Sequence, residues 1–129
     1  SEVIENLKEQ IAINAKRKKF QGYCVGVLNF NAPGLTKKVA YQIISNFEKK
    51  GEPVDFAVTW GFEYTNNAYN INMLNRPWEK TDIHLGNIAK KLGEQGGHKK
   101  KGGGHKHIGH FYWSKTKKQD IWDLFDGNC

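Results

Sequence analysis

Apolar side chains recur at helical spacing near the start of the chain, at Ile4, Leu7, Ile11 and Ala15. That spacing predicts a helix over residues 3–15, with glutamates early and basic residues late, the order that suits the helix dipole. The run Lys16-Arg17-Lys18-Lys19 reads as a solvated connector. Residues 23–30 are almost continuously apolar and of strand length, the pattern of a buried strand. Asn31-Ala32-Pro33-Gly34 interrupts it. A second helix follows, in which Leu35, Val39, Ile43 and Phe47 share a stripe widened by Ala40 and Ile44. Gly51 and Pro53 end that helix, so strand, helix and returning strand make a βαβ-type unit.

From Val54 the period switches to two. Val54, Phe56, Val58, Trp60, Phe62 and Tyr64 alternate with Asp55, Ala57, Thr59, Gly61 and Glu63. Thr65-Asn66-Asn67 is a turn, and Tyr69, Ile71 and Met73 then alternate with Asn70 and Asn72, which predicts an antiparallel hairpin. Asn75-Arg76-Pro77-Trp78 breaks the pattern. Thr81 or Asp82 is placed to cap a third helix with Leu85, Ile88, Ala89 and Leu92 on one face, Gly93 as its stop, and His84 on its polar side with no chemical role. Residues 94–107 form a glycine-, lysine- and histidine-rich loop, residues 108–113 a short strand, and residues 120–125 a short terminal helix. The sum is an α/β fold: one compact domain whose mixed sheet of about four to five strands is flanked by helices. Residues 1–21 are its N-terminal helix and basic connector, and residues 22–129 the body.

Composition narrows the partners. A chain of 129 residues has room for one domain, and seven Phe, five Tyr and four Trp supply its core. The formal net charge of +7 favours a polyanion, nucleic acid being the commonest, although lysines solvating the faces would give the same balance. Only two cysteines occur, Cys24 in an apolar run and Cys129 at the end of the chain. Two such thiols make no disulfide framework, so a reducing, cytoplasmic setting is expected. No secretory-signal pattern and no bilayer-length apolar stretch is present, so no membrane contact is expected. A start at Ser1 suggests a processed or excised piece.

The most informative chemistry lies at Gly102-Gly103-Gly104-His105-Lys106. Consecutive glycines leave backbone N–H groups uncovered, and a His and a Lys beside them add positive donors, which together suit a phosphate. A flexible linker has the same composition, but a linker between a helix and a buried strand has no obvious use. Ile88-Ala89-Lys90-Lys91-Leu92-Gly93, then this motif, then Gly109-His110-Phe111 resemble the C-terminal associated domain of the DHH-family phosphoesterases. The strand–helix–strand order from residue 23 is similar too, so the resemblance spans about residues 22–113.

The resemblance implies a domain that closes over a separate, upstream catalytic domain holding Mn²⁺ or Mg²⁺. Relatives include RecJ-like single-strand exonucleases, oligoribonucleases and cyclic-dinucleotide phosphodiesterases. It also implies that Gly103, Gly104 and His105 contact the substrate phosphate, with Lys106 a weaker candidate and Arg76, Asn75 and His107 possible further contacts. Partners would be single-stranded nucleic acid, a short oligonucleotide or a dinucleotide. Three departures stand out. Residues 94–101 are an insertion with its own Gly96-Gly97-His98. Ile71-Asn72-Met73-Leu74-Asn75 lies where many members carry Arg or Tyr, which leaves Arg76 as the nearby substitute. No Asp-His-His motif occurs.

No catalytic residue is therefore expected in this chain: Asp55, Asp82, Asp120, Asp123 and Asp126 are not paired with His at ligand spacing, and a two-metal hydrolase needs converging carboxylates. Whether it belongs to an enzyme stays open. His98, His105, His107 and His110 are enough in kind for Zn²⁺ or Ni²⁺, but no interleaved carboxylate or thiol fixes them, so no metal site and no cofactor is expected. The alternative is a non-catalytic RNA- or DNA-binding module related to the C-terminal domain of alanyl-tRNA synthetases, although those generally lack the His after the glycines. In either case Trp78 or Tyr112 could stack a base, core packing being the commoner use. Trp60 and Phe62 read as core.

Overall fold

Three helices and six strands alternate along the chain in a computed structural model that describes residues 2–115 and 120–129. In order they are α1 (Glu2–Asn14), β1 (Lys16–Phe20), β2 (Tyr23–Asn29), α2 (Thr36–Lys49), β3 (Phe56–Glu63), β4 (Ala68–Leu74), α3 (Leu85–Gln95), β5 (Gly102–His105) and β6 (Ile108–Ser114), with a final 3-10 turn at Ile121–Leu124. One mixed sheet runs β1-β2-β3-β4-β6-β5; β2 and β3 are parallel and every other pair is antiparallel. The α/β class, the βαβ unit and the hairpin are those the patterns predict.

The sheet has two more edge strands than the hydrophobic pattern reveals. Residues 16–19, expected as a connector, form most of β1, which turns into β2 through Gln21 and Gly22, both at positive φ (53° and 83°). Only Phe20 of that strand is buried, and its lysines suit an edge that must not pair with other chains. At the other edge, the glycine motif is itself β5, paired with β6 from Gly102↔Phe111 to His105↔Ile108, where a loop was expected.

Alternate residues feed two cores. On one face Leu28, Ala57 and Leu74 meet Ile11 of α1 and Val39, Ala40, Ile43, Ile44 and Phe47 of α2. On the other, Val25, Val27, Phe56, Val58, Ile71, Met73, Phe111 and Trp113 meet Leu85, Ala89 and Leu92 of α3 and Ile121 and Phe125 of the terminal segment. Fully burying each of the Val, Leu, Ile, Phe and Met side chains among them contributes roughly 1.5–3 kcal/mol. Helix α3 starts later than expected, its cap falling two residues beyond Asp82 and three beyond Thr81. His84 is the N-cap, its Nδ1 accepting from the Asn87 N–H at 3.0 Å, while Thr81 Oγ1 accepts from the Ile83 N–H in the turn before it. The helix also passes Gly93 and ends at Gly96.

The cysteines depart from expectation. Cys24 and Cys129 form a disulfide with Cα atoms 5.8 Å apart and a sequence separation of 105. The cause is the path of the last residues, which fold back along β1: Lys19 N–H donates to Gly127 O, Asp126 N–H to Lys19 O, and Lys18 Nζ to Asn128 Oδ1. With both thiols paired, cysteine usage does not point to a reducing setting. No helix among the described residues is long and apolar enough to cross a membrane.

Candidate functional site on the open half of the sheet

The two helical layers cover the sheet unequally. On the face that α2 packs against, the register brings Gly61, Asn70, Asn72, His110, Tyr112 and Gly103 to the same side of β3, β4, β6 and β5. Helix α3 packs against the opposite face through Leu85, Ala89 and Leu92. Helix α2 meets the far strands at a rim, where Lys37 and Tyr41 border a cavity of about 130 Å³ with Leu74, Asn75, Pro77, His107 and Ile108. The result is a polar floor of amides, an imidazole and a phenol, all half-buried, ending in a glycine strand at the sheet edge.

The three glycines of that strand have different reasons to be glycine. A Cβ on Gly102 would stand 2.5 Å from Ala89 O and 2.7 Å from Phe111 Cβ, inside the contact with α3. Gly104 has φ +142° and its Cβ would strike Ile108 O. Helix α3 answers with its own glycines: a Cβ on Gly86 would stand 2.5 Å from Gly104 O, and one on Gly93 would stand 2.5 Å from Gly102 N. Gly103 is under no such constraint, since a Cβ there would meet nothing within 4 Å. Its missing side chain leaves the main chain bare on the open face.

His105, two residues along β5, lies on that same face and is exposed. Lys106 is exposed in the turn to β6, and its carbonyl accepts from the Leu85 N–H. The structure thus gathers Gly103, His105 and Lys106 at one edge but turns Gly104 toward α3. His107 sits at the rim, its carbonyl accepting from the Asn75 N–H at 2.9 Å, with a buried Nδ1 that has no partner among the described residues. Asn75 is buried beside it and accepts from the Arg76 N–H. The Arg76 guanidinium is engaged elsewhere, donating to both Glu48 carboxylate oxygens at 2.7 and 2.8 Å and pairing with Glu79 at 2.5 Å. The hydrogen bond to Glu48 leads in raising the Arg76 pKa, and the same bond leads in lowering that of Glu48. Arg76 lines a separate cavity of about 180 Å³ that excludes β5.

Of the floor, the sequence offers Tyr112 as a base-stacking candidate and His110 among four histidines, but not Asn70 and Asn72 as their companions. His110, opposite Gly103 in the register, hydrogen-bonds Asn70 Oδ1 through Nε2 at 2.5 Å. Asn70 Nδ2 donates onward to Glu63 Oε1 at 2.6 Å, which fixes the amide and makes His110 Nε2 the donor. Burial lowers the His110 pKa against the raising effect of Glu63, so at neutral pH the ring is uncharged and Nδ1 remains an acceptor. The available signal was the polar set of two strands: Asn70, Asn72, His110 and Tyr112 stand where an ordinary solvated face would carry Lys and Glu. No group of three or more His, Cys, Asp or Glu among the described residues is arranged to hold a metal, and the four clustered histidines do not converge.

The fold is that of a domain also found in a nucleotide phosphodiesterase. The solved structure in question is a pGpG-specific phosphodiesterase, PggH from Vibrio cholerae, similar with a TM-score of 0.54 and 12% identity over 92% of this chain and 36% of that one. At that identity the likeness is one of fold, and this chain spans about a third of that protein's length. No protein-family model matches the sequence, and no curated protein does.

Proposed function

We propose that this chain is the substrate-binding domain of a DHH-type phosphodiesterase, gripping the phosphate of a single-stranded or very short nucleic acid, or of a dinucleotide, at β5. The observation that carries the reading is Gly103, the one glycine of three that packing does not demand, on the same open face as His105. A phosphate fits a bare main chain flanked by an imidazole and the Lys106 ammonium, and the net charge of +7 favours its approach. The motif resemblance and the shared fold support the same assignment. The chain's described residues do not suit Mn²⁺ or Mg²⁺. The metal that activates water in such an enzyme belongs, on this reading, to a separate catalytic domain. The role left to this chain is to bind and orient the phosphate beside the scissile bond.

The test is a titration of the 129-residue chain with a 5′-phosphorylated dinucleotide and its unphosphorylated twin, comparing wild type with His105→Ala. The expected result is weak binding that prefers the phosphorylated ligand, with a loss of about 1–3 kcal/mol in the variant. Equal, strongly salt-sensitive binding of both ligands by both proteins would mean a general basic surface and would remove the proposal.

A further inference from the structure

We propose that Trp78 and the cavity between α2 and the start of β6 form a nucleobase-stacking subsite beside the phosphate position; this rests on the phosphate-binding reading above. His105 pairs with Ile108 across β5 and β6, and Ile108 pairs with Leu74 on β4. Paired residues on antiparallel strands point to the same face, so these three side chains form one row with steps of roughly 5 Å. Leu74 belongs to the core that packs against α2, which fixes the face. Leu74 and Ile108 both line the cavity of about 130 Å³. That cavity therefore adjoins the exposed His105, on the face proposed for the phosphate.

Its lining is mixed in the way a nucleoside needs. Leu74 and Ile108 give an apolar floor, and Lys37 brings a cation from the first turn of α2. His107, at the rim, has a buried Nδ1 with no partner among the described residues. A buried polar atom left unpaired is costly, and a ligand edge that hydrogen-bonds it removes that cost.

The stacking surface is Trp78. Its indole is 67% exposed, whereas Trp113 is buried and Trp60 and Trp122 are half-buried. The Tyr41 ring, another cavity wall, meets it at 62° with centroids 5.7 Å apart. That is its one ring contact among the described residues, so the greater part of the indole stays open. The ring is nevertheless held. Pro77 and Trp78 are the central residues of a turn closed by the Glu79 N–H to Arg76 O at 3.1 Å, with Pro at its favoured position. Arg76 fastens this turn to α2 through both Glu48 carboxylate oxygens. A ring set in place beforehand loses little freedom when a base stacks on it. Every base has a π-face, so such a subsite holds a base without selecting which.

The experiment is calorimetric titration of the 129-residue chain with a 5′-phosphorylated adenine deoxydinucleotide and a twin whose two bases are replaced by hydrogen, with tryptophan fluorescence followed in parallel. The abasic twin is expected to bind wild type about fivefold or more weakly, the effect of one lost base–aromatic stack. Trp78→Ala should bind the adenine ligand no better than the abasic twin, with an unchanged unfolding temperature. Trp78→Phe should recover most of the affinity but lose the fluorescence quenching that the adenine ligand causes in wild type. The wild-type comparison needs no variant, so it stands even where Trp78→Ala folds poorly. Equal wild-type affinity for the two ligands, or adenine binding unchanged in Trp78→Ala, with dependence on the 5′-phosphate and His105 intact, would overturn the stacking subsite and leave the phosphate reading. No binding of either phosphorylated ligand would overturn both.

Discussion

Substituting the three glycines of β5 one at a time should separate stability from binding. At Gly103 an added methyl enters open space, and the backbone φ lies outside the left-handed region, so Gly103→Ala introduces neither clash nor strain. Its main effect on stability comes from the unfolded chain, which loses freedom; such changes stabilise by about 0.4–1 kcal/mol. At Gly102 the same methyl stands 2.5 Å from Ala89 O and 2.8 Å from His110 O, so helix and strand must move apart. Overpacking of this kind costs about 1–3 kcal/mol, and backbone obstacles place it at the upper end. For a domain of this size that lowers Tm by roughly 5–12 °C. Gly104→Ala adds an unfavourable φ to a similar clash and should fare worse. Thermal unfolding followed by circular dichroism, with titration of a phosphorylated dinucleotide on each variant, reads both quantities. Gly103→Ala is expected to melt at or slightly above wild type and to bind several-fold more weakly, because the methyl blocks the main chain. Unchanged binding in that variant would show that no ligand approaches the strand there. A wild-type Tm for Gly102→Ala would refute the packing argument.

Two further outcomes follow from the fold. Closing a loop of 105 residues, the Cys24–Cys129 bond should stabilise the chain by about 4–5 kcal/mol through the unfolded state, so dithiothreitol or Cys129→Ser should move the urea midpoint down sharply. Equal midpoints with and without reductant would show that the bond does not form in solution. His110 has a folded pKa lowered by burial, so its contribution is present above the unfolded value of about 6.5 and lost as pH falls through the folded pKa. Wild type should lose stability between pH 7 and pH 5 more steeply than His110→Asn, and parallel slopes for the two proteins would contradict that.

What could be read from the sequence tracks where burial imposes a period. Helix α2 has a stripe of five buried apolar residues, and β3 and β4 alternate against a core on one face, so all three announce themselves. Strands β1 and β5 do not. Each lies at a sheet edge, where backbone pairing on one side holds it and side chains are free of the core's demands. Lys16–Phe20 therefore reads as a charged run and Gly102–His105 as a loop. The disulfide was hidden for a related reason: a pairing across 105 residues is set by the path of the terminal segment along β1, which no local pattern encodes.

The glycine–histidine motif shows how one short pattern can carry two kinds of information at once. Gly93, Gly102 and Gly109 are there because α3 rides on β5 and β6 at backbone contact, and Gly104 because of its positive φ and the β6 backbone beside it; a Cβ on Gly109, for instance, would stand 2.8 Å from Leu85 C. These positions encode the fold, and they account for the motif's dependence on its helical and strand flanks. Gly103 and His105 sit between them in sequence but on the other side of the strand, since successive residues alternate in direction. A reading along the chain cannot divide the motif in this way, and on that reading Gly104 was grouped with the phosphate contacts. Once β5 is seen as a strand, Gly104, whose carbonyl lies against Gly86 of α3, falls on the other side from Gly103 and His105, and His110, Asn70 and Tyr112 are found on the open face. The contribution of the structure is this division by face, which separates a packing motif from the surface proposed to bind.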